Sequence, residues 1–500
     1  MGLNALDLAV IFAYLVGVTL FGLRFRRKQR TLKSYFLADN NVPWWAISLS
    51  IVAAETSTLT IISVPGLAYE TDFRFLQLVL GYLAGRAIVS FLLIPQYFRG
   101  ELVTAYQLIE RRFGQKLRSL TAGLFLITRA AAEGVRVFAV AIVVGIALSS
   151  LLAGMGNFGR DVSAIAIVSL LTLIYTFEGG MTAVIWTDVV QLVIYIGGSL
   201  IGLFMILHLV PGGWSTIREV AGQAGKFRVF DFSWNFYSTY TFWSGVIGGA
   251  FLTTATHGAD QLIVQRLLAA RSQRQSKIAL LLSGFAVLAQ FSLFLLLGAM
   301  LFVFYKLFPP PVPFARTDTI FPTFVVTKMP HGVSGLLISA ILAAAMSNLS
   351  AALNSLSSTT IVDVYGRWQP LASEERRVRL SRFVTLGWGL ALFGLAILAR
   401  HGGKVLEVGL SIASVAYGSL LGVFLLGVLT KRASERGAMV GMLLGFLLNL
   451  YLWRFTRVPF TWYVTLGSMA TFIVGYGVSL ALPQVADARE TSKIGESECN

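Results

Sequence analysis

The segment AAETSTLT at residues 53–60 sets one carboxylate, Glu55, among the hydroxyls of Thr56, Ser57, Thr58 and Thr60, inside a run from Trp44 to Ala68 that is otherwise apolar. Oxygen atoms at that density suit a hard cation or a polar solute. An ionisable group at mid-membrane depth costs on the order of 3 kcal/mol, so it marks an ion or solute path unless a buried partner holds it. Arg86 is the partner the sequence offers. The hydroxyls also have a purely structural reading, because Ser and Thr in such helices bond carbonyls one turn back and glue helices together. Pro65 and Gly66 follow, so a helix break is expected near them, with carbonyls freed to face a cation.

A second polar stripe lies at 340–363, where Ala344, Ser347, Asn348 and Ala351 recur at i, i+3, i+4 and i+7 and share one helical face. Ser350, Asn354, Ser357 and Ser358 carry the polarity onward. Hydroxyl and amide oxygens there offer a neutral cage for an alkali cation, and close packing of small residues explains the same pattern. Asp188, beside Thr187 inside an apolar run, reads either as a cation ligand or as a partner for a backbone donor. Arg129, Glu133 and Arg136 fall at i, i+4 and i+7, one face with one net positive charge. The guanidinium left over can grip a carboxylate as a fork, or snorkel to the interface. Along 239–258, the pair Gly248 and Gly249 is expected to let the backbone unwind or be approached closely, and Thr253, Thr256 and His257 then face one cavity. His257 is then a hydrogen-bonded structural group or a proton carrier.

The elements that position these groups follow from composition. With 56% hydrophobic and 13% charged residues in 500, the chain carries more apolar surface than a soluble fold can hide, since soluble domains hold about 25% charged residues. An all-α membrane protein is expected, because only helices satisfy their own backbone in lipid without closing a barrel. Thirteen segments are long enough: 4–23, 44–70, 75–98, 117–152, 160–177, 181–209, 239–258, 278–306, 332–362, 380–400, 404–429, 435–453 and 460–482. Of the 40 Lys and Arg residues, 25 fall in the loops that become cytoplasmic if the N-terminus is outside, against 12 in the opposite loops. That bias predicts N-out, C-in. The net charge of +16 is thus explained by topology, and no nucleic-acid partner is expected. A single Cys499 builds no disulfide framework, and no phosphate loop, zinc motif or nucleophile elbow occurs in a loop able to host catalysis, so no enzyme and no organic cofactor are expected.

Several stretches together resemble the sodium:solute symporter family: SYFLADNNVPWWAISLS at 34–50, ELVTAYQLIERRFG at 101–114, GGMTAVIWTDVVQ at 179–191, GADQLIVQRLLAARS at 258–272 and FPTFVVTKMPHGVSGLLISAILAAAMSNLSAALNS at 321–355. The resemblance implies a five-plus-five inverted repeat of the leucine-transporter type, here 44–209 and 239–429, each opening on a broken helix. It also implies an extra helix and linker at 1–43, an extracellular connection at 210–238, two final helices at 430–482 and a cytoplasmic tail at 483–500. It places sodium on the Ala53 and Thr56 carbonyls of the broken helix and on Ala344, Ser347 and Asn348, with Asn348 standing where most members carry Ser or Thr. A second sodium, left open, would use Asp188, Ser347 and Ser350, although Ala351 replaces a further hydroxyl. Solute positions correspond to Glu55, Ser57, Thr60, Thr253 and Thr256, and Arg129 and Arg136 are added from their spacing. Thr256, in place of a large aromatic side chain, argues against a stacked sugar.

The expected activity is sodium-coupled import of a small polar or anionic solute by alternating access across the plasma membrane, the inner membrane of a bacterium. Sodium is the coupling ion, the bilayer and the solute are the partners, and a monomer or weak oligomer suffices. Proton coupling through Glu55 or His257, and a transporter-like solute sensor, are the competing readings.

Overall fold

The computed structural model describes residues 3–23, 38, 41–99, 105–149, 152, 154–175, 181–365, 369, 374–401 and 404–481. The basic run at 24–33, the tail with Cys499, and the side chains of Ser347, Asn354 and Ser358 lie outside what is described. The described residues form helices and no strand, with one isolated bridge between Val42 and Ala270.

The first half runs through α1 (Ala5–Leu23), α2 (Trp44–Glu55), α3 (Thr58–Glu70), α4 (Leu76–Phe98), α5 (Ala105–Phe113), α6 (Gln115–Ala147), α7 (Asn157–Tyr175), α8 (Met181–Leu209) and the short α9 (Gly213–Gln223). The second continues with α10 (Phe242–Gly258), α11 (Gln261–Leu268), α12 (Gln273–Leu307), α13 (Ile320–Lys328), α14 (Val333–Thr359), α15 (Glu374–Ala399), α16 (Val405–Leu429), α17 (Glu435–Phe455) and α18 (Tyr463–Ala481). Helix occupies every one of the thirteen predicted segments. Among the described residues, nine of these helices are long and apolar enough to cross a membrane, ten if the bent pair α2 and α3 is one span. α10, with 17 residues, is one of those that fall short.

Two interruptions shape the centre. Between α2 and α3 the chain turns by 63° at Thr56 and Ser57, not at Pro65 and Gly66 as the sequence suggested. Pro65 sits within α3, where its missing N–H costs one bond that the surrounding packing absorbs, and Gly66 instead admits the Thr317 backbone. The second break falls at Ala259 and Asp260, between α10 and α11, a full ten residues past Gly249. Gly248 and Gly249 are helical, and their lack of Cβ serves contact: a Cβ on Gly248 would meet the Thr461 carbonyl, and one on Gly249 the Leu78 carbonyl of α4.

That close approach of α10 to α4 yields a test. Gly249→Val drives a branched side chain into backbone that cannot yield, so its cost is expected at or beyond the upper end of the roughly 1–3 kcal/mol of ordinary overpacking. Gly387→Ala in α15, where a Cβ meets nothing within 4 Å, serves as the neutral control. Thermal melts of the two purified variants make the comparison.

Behind the breaks, one buried cluster joins α3, α4, α6, α12, α13 and α14, with Phe75, Phe138, Phe294, Phe321 and Phe324 nearly inaccessible. A second cluster gathers α2, α5, α11 and α16 toward the opposite ends of the helices. Asp7 of α1 is fully buried, and its carboxylate accepts from the Gly332 and Gly335 amides at the start of α14. The first helix is thereby fixed to the helix that carries the second polar stripe.

Candidate functional site

At the α2 and α3 junction the hydrogen-bond ladder changes partners. Thr56 N still donates to Val52 O at 2.8 Å, but Ser57 N goes to Glu55 O at 3.0 Å and Thr60 N to Ser57 O at 2.9 Å. In an unbroken helix those two donors would have gone to Ala53 O and Thr56 O. The Ala53 and Thr56 carbonyls therefore leave the ladder and become available to a cation. The Thr56 hydroxyl is committed elsewhere, since it donates back to Val52 O at 2.7 Å. The carbonyl, the atom implied by the family resemblance, is the one left free. α14 packs against α3 with Ala344 buried on its inner face and Asn348 at the cavity wall, so the donor set of both stripes is chemically suited to an alkali cation. For Ser347 the helical position is described, without its side chain.

A cavity of about 190 Å³ opens against the two breaks. Glu55, Ser57, Thr60, Arg129, Arg136, Thr253 and Thr256, drawn from α2, α3, α6 and α10, all line it. Every expected solute residue is therefore gathered in one place. At one end the Phe75 ring stacks on Phe291 with centroids 5.3 Å apart, and it meets Tyr240 edge-on at 5.4 Å. The Tyr240 hydroxyl donates to Glu407 at 3.0 Å. From there the cavity extends to Tyr106, Thr121, Leu262 and Ile263, beside the loops in which the basic clusters lie.

Its charges pair off. Arg86, with no exposed surface, donates to Glu55 from Nη2, to Ser283 Oγ from Nε at 3.2 Å and to Tyr82 O at 3.4 Å. The buried-partner reading of Glu55 holds, and the paired carboxylate still faces the cavity. His257 Nε2 lies 3.7 Å from the same Glu55 oxygen, and Nδ1 is bonded to Thr256 Oγ1 at 2.9 Å. On α6, Glu133 Oε1 accepts from Arg136 at 2.7 Å and faces Arg129 at 2.9 Å. Arg129 is further tied to Asp260 at 3.5 Å and is 7% exposed, whereas the Arg136 side chain keeps 33% of its surface open. Arg136 is thus the guanidinium a solute can reach.

Two assignments change. Asp188 accepts from Arg266 at 3.0 Å and from Ser50 Oγ at 2.7 Å, all three buried. Its charge is neutralised by a partner 78 residues away, which weakens the second-sodium set of Asp188 and Ser350 proposed from the sequence. Asp260 was missed. It caps α11 through Leu262 N at 2.9 Å and receives the Tyr417 hydroxyl at 2.5 Å beside Arg129. An Asp directly before the apolar run of α11 is a readable N-cap signal, but nothing local announces the arginine and tyrosine it meets.

Comparison with known proteins agrees with this architecture. The model of the sodium:solute symporter family matches residues 35–445. The sodium/sialic acid symporter SiaT of Proteus mirabilis (strain HI4320) is 32% identical over 495 residues, 97% of each chain. A solved Na+-coupled sialic acid symporter in a substrate-bound outward-open state superposes with a TM-score of 0.81 at 31% identity, covering 96% of this chain and 98% of that one. Mhp1, a nucleobase-cation-symport-1 family transporter, shares the fold alone, with a TM-score of 0.55 at 12% identity over 91% of this chain and 96% of its own.

Proposed function

This chain belongs to the sodium:solute symporter family, and from that premise we propose how its own residues perform sodium-coupled solute symport across a membrane. It is a multi-pass transporter and not an enzyme. The observation that carries the residue-level reading is the release of the Ala53 and Thr56 carbonyls at a break whose next residues, Ser57 and Thr60, line the solute cavity. Sodium is held by those two carbonyls together with Ala344, Ser347 and Asn348 of α14. The solute occupies the other face of the same break, against Glu55, Ser57, Thr60, Thr253 and Thr256. Because one backbone turn serves both ligands, ordering it for one favours the other, and that coupling is reciprocal.

Arg136 takes the solute's carboxylate in fork geometry. The charged groups at and behind the cavity, Glu55, Glu133 and Asp260 against Arg86, Arg129 and Arg136, balance to zero, so the negative charge of a solute carboxylate is offset by the sodium that binds with it. Sialic acid, named for the Proteus mirabilis relative, has that chemistry and is the first probe to use.

Thirteen crossings, ten of them arranged as two five-helix inverted repeats, 44–209 and 239–429, account for the two broken pairs α2–α3 and α10–α11, each of which opens its half of the chain. With the N-terminus outside and the C-terminal tail in the cytoplasm, the cavity faces inward, and Phe75, Phe291 and Tyr240 close the outer side. One chain supplies the whole site, so a monomer in the plasma membrane is sufficient. Inward sodium movement is driven by concentration and by roughly 2.3 kcal/mol per charge per 100 mV.

The experiment is uptake by the purified protein in liposomes. Accumulation of labelled sialic acid that stops when sodium is replaced by potassium at constant pH supports the reading. Accumulation driven by a proton gradient alone replaces it with the proton-coupled one. In the same assay Ser347→Ala is expected to raise the half-saturating sodium concentration about tenfold, near 1.4 kcal/mol, and to leave the solute KM at saturating sodium within about twofold. An unshifted sodium curve removes Ser347 from the cage.

A further inference from the structure

A second cation position shows itself through an oxygen that has nothing to bind. Gln290 of α12 is 4% exposed and reaches the break from a different helix than α14. Its Nε2 donates to the Thr56 hydroxyl at 2.5 Å. The orientation of this amide is fixed by chemistry, because the Thr56 hydroxyl already spends its proton on Val52 O at 2.7 Å and can only accept from Gln290. The carbonyl oxygen of the same amide, Oε1, is then left buried without a hydrogen-bond partner among the described residues. The fully buried Tyr195 hydroxyl of α8 faces the same Thr56 and also lacks a hydrogen bond in bonding geometry among the described residues. A buried acceptor left unmade costs roughly 1–3 kcal/mol, and such an atom in a native fold calls for an ion or an ordered water.

We propose that Gln290 Oε1 and the Tyr195 hydroxyl, with oxygen released at the α2 and α3 break, form a second alkali-cation position on the α12 side of Thr56. This inference rests on the sodium-symport reading and adds a site to it. The alternative location, Asp188, is closed off by Arg266 and Ser50, whereas Gln290 offers an uncharged oxygen with no competing cation. Neutral amide and hydroxyl oxygens suit a hard monovalent ion and impose no net charge on an apolar setting. Nε2 holds the break in place while Oε1 faces the ion, so one side chain links the geometry of the first cage to occupancy of the second.

The test titrates sodium chloride, at constant ionic strength with choline, against the melting temperature of the purified full-length protein, with liposome uptake in parallel. Wild type is expected to respond with a Hill coefficient clearly above one. Gln290→Met, which keeps the volume and removes the amide, is expected to bring that coefficient to one and to raise half-saturation at least tenfold. Gln290→Glu restores an oxygen without the donor and is expected to retain cooperativity. Tyr195→Phe, a change too small to prevent folding, is expected to lower the coefficient as well. A wild-type response of slope one, a Gln290→Met curve that overlays wild type, or a Glu variant as impaired as Met, each overturns the second position. The Ser347→Ala shift separates this from failure of the parent reading. If wild type ignores sodium altogether, symport itself fails; if Ser347→Ala shifts while Gln290→Met does not, only the second position falls.

Discussion

Arg86→Met is expected to destabilise the protein by about 3–5 kcal/mol, the range for removing one partner of a buried ion pair. The size follows from what remains. Arg86 has no exposed surface and spends its donors on Glu55, Ser283 and the Tyr82 carbonyl. Without it, Glu55 becomes a carboxylate in a cavity wall whose nearest cationic candidate is His257 at 3.7 Å. The double variant Glu55→Gln with Arg86→Met removes both charges and is expected to recover most of the loss, because an uncharged pair of similar volume pays no desolvation. Chemical denaturation or thermal melts of the four proteins close the cycle. Equal instability of the single and double variants would mean that Arg86 acts through packing and through Ser283, and that Glu55 is indifferent to it.

This pair also shows where sequence reasoning reached and where it stopped. Glu55, Ser57, Thr60, Arg129, Arg136, Thr253 and Thr256 were legible because each is a polar group in a run too apolar to tolerate it without purpose, and the fold brings all seven to one cavity. The helix segments were legible for the same reason, since length and hydropathy alone mark them. The break positions were legible only in part: the family resemblance put the first at Ala53 and Thr56, whereas the local Pro and Gly signals pointed elsewhere. Pro65 and the Gly248–Gly249 pair are strong local signals, yet the surrounding helices decided: Pro65 is absorbed inside α3, and the two glycines are spent on contact with Leu78 and Thr461. The actual breaks, at Thr56–Ser57 and at Ala259–Asp260, carry polar residues that can bond outside a helical ladder. Partnerships across the fold were beyond reach as well. Asp188 with Arg266, Asp260 with Tyr417 and Gln290 with Thr56 join residues 78, 157 and 234 positions apart, and nothing in a local window encodes such distances.

The second large effect concerns Arg136. Its neighbour Arg129 is almost fully enclosed and divided between Glu133 and Asp260, so it cannot turn to a solute without breaking both contacts. Arg136 spends one nitrogen on Glu133 and keeps a third of its side chain open to the cavity, which leaves guanidinium donors for a carboxylate. A charge-assisted contact of that kind is worth roughly 1.5–3 kcal/mol, so Arg136→Ala is expected to raise the KM for a carboxylate solute by about 10- to 100-fold. Arg136→Lys restores the charge without the planar fork and is expected to recover only a small part. Glu133 stays paired with Arg129 in both variants, so melting temperature in the absence of solute should change little. Sodium-induced stabilisation should persist as well, since no proposed sodium ligand is altered, whereas stabilisation by sialic acid should be lost. If both variants bind and transport the carboxylate as wild type does, Arg136 serves only to balance Glu133, and the solute's negative end must be held elsewhere in the cavity.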